Sequence, residues 1–111
     1  MTKIINLTPH EINIMGIEPI PSHGLVRVTE TSHIVDTVNG IDISVKKYGM
    51  VEGMPEPQTD TVFVVSLMVA QQLTHRDDIL IIGDTIRNEK GQVVGAKNFS
   101  RLPQNYGRQE D

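Results

Sequence analysis

A chain of 111 residues falls within the usual span of one domain and can bury roughly two-thirds of its unfolded surface, enough for one core without covalent staples. It contains no cysteine, which excludes disulfides, zinc–thiolate sites, iron–sulfur clusters and cysteine nucleophiles and fits a reducing compartment. A net charge of -4 lacks the basic excess with which proteins grip DNA or RNA. Two Phe, two Tyr and no Trp give no stacking platform for single strands. A local basic patch could still form, since Lys46 and Lys47 are adjacent and Arg101 and Arg108 are close in sequence. The longest apolar run, Val62 to Ala70, contains Ser66 and is far short of the roughly 20 residues that cross a bilayer. The N-terminus offers one lysine and two isoleucines, too little for a signal peptide.

In chain order, Lys3 to Leu7 reads as a strand. Thr8-Pro9-His10 breaks it, since proline fixes φ and removes a donor. Glu11-Ile12-Asn13-Ile14 alternates polar and apolar residues, the pattern of a half-buried strand, and could return against the first as a hairpin. Glu18 to Gly24 is rich in turn residues. Strands are expected at Leu25–Thr29 and Ile34–Val38. Asn39-Gly40 is a hairpin signal because both residues tolerate positive φ, with Ile41 to Lys46 returning and its odd-numbered residues facing the core. Tyr48 to Gln58 reads as a loop containing a short strand at Met50-Val51. Thr61 to Val65 is apolar at successive positions and suits a strand buried on both faces. Ser66 can cap a helix over Leu67–Leu73, and Ile79 to Ile82 is a further buried strand. Strand, helix and strand in so few residues imply a β-α-β crossover with parallel neighbours. Thr85–Arg87 should pair with Gln92–Val94 across Asn88 to Gly91. The expected fold class is α+β: a mixed, mainly antiparallel, curved sheet with one short central helix. One globular domain covers 1–102, and 103–111 form a polar tail expected to fray.

Four constellations carry candidate chemistry. Asn6, Thr8 and His10 flank a rigid proline and either present polar groups to a ligand or satisfy the local backbone. Ser66 opens the helix, where unpaired N–H groups can hold a phosphate; the alternative is a simple cap, since no P-loop or three-glycine fingerprint accompanies it. In His75-Arg76-Asp77-Asp78, Arg76 can take phosphate in a bidentate grip, or it can pair with an aspartate at the helix exit. Arg87 and Arg101 could clamp an anion from one rim, or be surface charge. No metal-helix spacing or nucleophile elbow occurs among the histidines and serines. A triad of Ser66 with a histidine and an aspartate has no specificity in a chain of this composition.

The order Asn-Leu-Thr-Pro-His, Tyr48-Gly49, Thr61-Val62-Phe63-Val64-Val65-Ser66, Val69-Ala70, Arg76-Asp77-Asp78, Gly83, Arg87-Asn88-Glu89-Lys90-Gly91 and Val94-Gly95 resembles a family of short, uncharacterised proteins of bacteriophages and prophages. The resemblance runs from Ile5 to about Leu102. It implies a phage protein acting in the cytoplasm of a bacterial host, and it carries over no catalytic residue. By analogy of role alone, small phage proteins without an enzyme motif include sponges that trap nucleotide signals of bacterial immunity.

Three readings follow. The first is a non-catalytic homo-oligomer that sequesters a small phosphorylated, nucleotide-type ligand, with Asn6, Thr8, His10, Ser66, Arg76, Arg87 and Arg101 as contacts and no cofactor. Self-association is one way for a small β-rich domain to hide its sheet edges. The second is a protein–protein module, an inhibitor or minor structural component. The third is a small hydrolase using Asp77, Asp78 and a divalent metal, for which a further ligand from elsewhere in the chain is required.

Overall fold

In the computed structural model, which describes residues 2–105, the protein is an α+β fold made mostly of strands with one short helix. The strands are β1 (Lys3–Asn6), β2 (Arg27–Val38), β3 (Ile41–Glu52), β4 (Thr61–Val64), β5 (Ile79–Ile82), β6 (Thr85–Arg87), β7 (Val93–Ala96) and β8 (Phe99–Ser100). The helix α1 spans Leu67–Gln72, and a 3-10 turn covers Pro103–Asn105. The strands divide into a four-stranded sheet of order β1-β4-β5-β8 and two separate two-stranded ribbons, β2-β3 and β6-β7. One continuous sheet was expected; instead the main sheet has parallel β1-β4 and β4-β5 pairings with β8 antiparallel to β5.

The apolar run of β4 explains its central place. Successive residues of a strand point to opposite faces, so Phe63 and Val65 enter one cluster with Leu7, Val26, Val69, Ala70 and Ile79, while Val64 enters another with Ile12, Ile14 and Ala96. Each large apolar side chain so buried is worth about 1.5–3 kcal/mol. The β4-α1-β5 crossover forms as expected, with Phe63 beside Ile79 and Val64 beside Leu80. Ser66 ends β4 by capping α1: its extended backbone (φ -71°, ψ 160°) turns the chain, and its hydroxyl accepts a 3.4 Å bond from the Val69 N–H.

Other expectations are corrected. No hairpin forms across Thr8-Pro9. β1 pairs in parallel with β4, and Ile12 exchanges two 2.9 Å backbone bonds with Ile20. Ile12 and Ile14 are nonetheless buried, as their alternation requires. The strands expected at 25–29 and 34–38 merge into the twelve residues of β2, and β3 runs through the expected loop at Tyr48-Gly49 to Glu52. Two bulges, between Val28 and Glu30 and between Ile34 and Asp36, absorb the irregular register. Most consequentially, the odd-numbered residues of β3 do not face a core. Ile41, Ile43 and Val45 are 67%, 41% and 42% exposed. The ribbon is rooted by Val26, Val28 and Val51 against the first cluster, and from Thr29 to Met50 it is exposed on both faces. Residues 103–105, expected as part of a fraying tail, are docked: Gln104 Nε2 donates to the carbonyls of Ala70 and Gln71, and Asn105 is buried. The rest of that tail, 106–111, lies outside the described residues.

Candidate functional site

The Asn6–His10 corner is built around one buried amide. Asn6, at 0% exposure, donates through Nδ2 to the carbonyls of His10 (2.8 Å) and Ile20 (3.1 Å). Its Oδ1 accepts from the Thr8 N–H (2.9 Å) and the Thr8 hydroxyl (2.6 Å). All four hydrogen-bonding positions of the side chain are used. Asn6 therefore organises the turn, and none of its polar atoms is left to address a ligand.

What that turn positions is a cleft. Thr8, His10, Glu11, Ile12 and Asn13 form one wall, Val93 to Ala96 of β7 form the other, and Ile82 of β5 closes it, enclosing about 440 Å³. The walls are tied by backbone. The Ala96 N–H donates to the Asn13 carbonyl at 2.8 Å, and the Met15 N–H donates to Ala96 at 2.9 Å. Gly95 makes the close approach possible, since a Cβ there would stand 3.0 Å from the Asn13 carbonyl oxygen. The lining is mainly aliphatic, with polar groups on the Thr8–Asn13 side. The exposed His10 imidazole makes no hydrogen bond among the described residues, and the Glu11 carboxylate stands next to it in sequence on the same wall. A site of this size with apolar walls and a few polar groups is typical of small-ligand pockets.

Of the seven residues expected to bind, Thr8 and His10 line this cleft, and Asn6 lies behind them. Arg87 sits on β6 directly opposite Val93, but its Nη1 closes the hairpin loop by donating to the Gly91 carbonyl at 2.6 Å. Ser66, Arg76 and Arg101 do not line it. Ser66 is a cap on a helix of six residues. Arg76 grips Asp78 through Nε (3.0 Å) and Nη2 (2.8 Å), donates Nη1 to the Pro55 carbonyl at 2.9 Å, and stacks over Phe63 at 5.8 Å. The hydrogen bond to Asp78 raises the Arg76 pKa further above its ordinary value against the opposing effect of burial. Both oxygens of Asp78 are thereby engaged, which takes one of the two supposed metal ligands out of play for the hydrolase reading. Among the described residues no three His, Asp or Glu side chains gather as a cation site. Arg101 is exposed and makes no such contact.

The residues that sequence reasoning missed are Glu11, Ile12, Asn13, Ile82 and Val93 to Ala96. The alternation of Glu11 to Ile14 already places Glu11 and Asn13 on one side, but nothing local announces that β7 lies across from them. Among the described residues no helix is long and apolar enough to cross a membrane. No family model matches the chain, and no curated protein or solved structure does.

Proposed function

We propose that this protein is a non-catalytic binding protein whose cleft between the Thr8–Asn13 segment and β7 takes a small nucleotide-type ligand. The observation that supports this reading is the cleft itself: about 440 Å³, aliphatic on most of its lining, with Thr8, His10, Glu11 and Asn13 along one wall. A flat base would lie against Ile12, Ile82 and Val94. Its donors and acceptors would meet Glu11 and Asn13, and the phosphate would accept a hydrogen bond from a ring N–H of His10. In the setting suggested by the phage-like sequence, this is sequestration of a nucleotide-derived immune signal in the cytoplasm of a bacterial host.

The test is calorimetric titration with a panel of cyclic dinucleotides and cyclic ADP-ribose isomers. One of them is expected to bind, and His10→Ala and Val94→Glu are each expected to weaken it about tenfold or more without lowering thermal stability. Absence of binding across the panel removes the reading. The second reading, a protein–protein module, is favoured by the exposed β2-β3 ribbon, a surface of the kind that pairs with polypeptide.

A further inference from the structure

We infer that two copies of this chain associate through the β2-β3 ribbon, packed face to face with their tips pointing in opposite directions about a two-fold axis. This inference stands apart from the ligand cleft, none of whose residues it uses. Its starting point is a ribbon that ought not to stand alone. A two-stranded hairpin is marginal in water unless one face is covered, yet here both faces are exposed from Thr29 to Met50. One face carries, from tip to root, the cross-strand rows Val38 with Ile41, Asp36 with Ile43, His33 with Val45, and Thr31 with Lys47. The bulge between Ile34 and Asp36 keeps His33 and Asp36 on this face despite their odd spacing.

Charge and shape on that face select a second copy as the occupant. On the opposite face Lys46 and Glu30 lie 3.9 Å apart and answer each other, while Asp42 stands at the tip. On the apolar face, Asp36 lies toward the tip and Lys47 toward the root, and neither has an ion pair among the described residues. Asp36 is held by the Thr37 N–H at 2.7 Å. A two-fold axis crossing the strands at the His33–Val45 row places each Asp36–Ile43 row over the partner's Thr31–Lys47 row. Ile43 then covers the aliphatic stem of the partner's Lys47, whose ammonium reaches Asp36, and symmetry repeats the contact.

The same operation sends the Val38–Ile41 row one step further, onto the partner's root. There the face is indented: Thr29, Thr31, Lys47, Tyr48 and Gly49 line a hollow of about 380 Å³. Gly49 lets the Thr29 side chain lie across the backbone at the edge of that hollow, since a Cβ there would stand 2.6 Å from the Thr29 hydroxyl oxygen. The two most tip-ward apolar residues of one ribbon thus meet the concavity of the other. Strand spacing and rise give a contact face of roughly 300 Å² per copy. That is below the usual 800 Å² or so of a stable interface, so the dimer is expected to dissociate in the micromolar range.

The experiment is sedimentation velocity of the full chain from about 1 to 300 μM, with circular dichroism confirming the fold of each variant. The wild type is expected to show a monomer–dimer equilibrium. Ile41→Asp and Lys47→Asp should each weaken it more than tenfold, and Asp36→Lys with Lys47→Asp in one chain should restore it. A monomer at every concentration overturns the inference, whether or not another polypeptide binds the ribbon. A dimer indifferent to Ile41→Asp overturns the surface, and failure of the double charge exchange to restore association overturns the antiparallel register.

Discussion

Arg76 and Asp78 form a two-point grip, Nε to Oδ1 at 3.0 Å and Nη2 to Oδ2 at 2.8 Å, with only 18% and 14% of the two side chains exposed. The same guanidinium reaches the Pro55 carbonyl, so the pair fastens the loop before β4 to the entrance of β5. Removing one partner leaves the other charge partly buried without its counter-ion. Asp78→Asn and Arg76→Ala are each expected to cost about 2–3 kcal/mol in urea unfolding, whereas Asp77→Asn should stay within about 0.5 kcal/mol. Equal midpoints for all three would show that the grip contributes nothing to the fold.

Asn6 presents the clearest separation between a structural and a ligand-binding role. Replacing it with alanine leaves the Thr8 N–H without its acceptor in a part-buried turn and takes one of two donors from each of the His10 and Ile20 carbonyls, which keep the Thr8 hydroxyl and the Ile12 N–H. The expected loss is about 3 kcal/mol. Asn6→Asp should also destabilise, because a carboxylate would face those two carbonyls in place of a donor. Thermal and urea unfolding check both. Unaltered stability with altered ligand binding would return Asn6 to the site.

The 3-10 turn at the end of the described chain makes a third case. Asn105 Nδ2 donates to the carbonyls of Leu73 and Arg76, at the exit of α1, while its Oδ1 has no partner among the described residues. Alanine there removes two bonds to carbonyls that α1 and its exit leave open, but also removes an unpaired acceptor, so the net cost should be about 1–2 kcal/mol. An unfolding midpoint equal to wild type would mean that the turn only rests against the helix.

Wherever the pattern was local, the sequence was enough. The unbroken apolar run of β4, the Ser66 cap, the Asn39-Gly40 turn and the Asn88–Gly91 loop all depend on neighbours a few residues apart, and each is present as read. Where pairing was long-range, it was not. The alternating Ile41-Asp42-Ile43-Ser44-Val45 announces a strand with one apolar face, but alternation cannot say whether a core exists to receive that face. Here none does among the described residues. Likewise Thr8 and His10 were visible as a polar corner, but the wall opposite comes from β7, more than eighty residues away.

The sequence by itself determined the class of the fold, the position of its helix, the buried central strands and the exclusion of thiol chemistry, because composition and short-range periodicity carry that information. The tertiary structure alone decided three things. It parted the strands into three sheets, which depends on competition among distant backbone partners. It committed Asn6, Arg76 and Ser66 to holding the fold: Asn6 is buried among backbone groups, half-buried Arg76 is gripped by Asp78, and the exposed Ser66 hydroxyl caps α1. And it set a cleft beside Thr8 and His10, since a cavity exists only where two distant segments are held apart at a fixed distance.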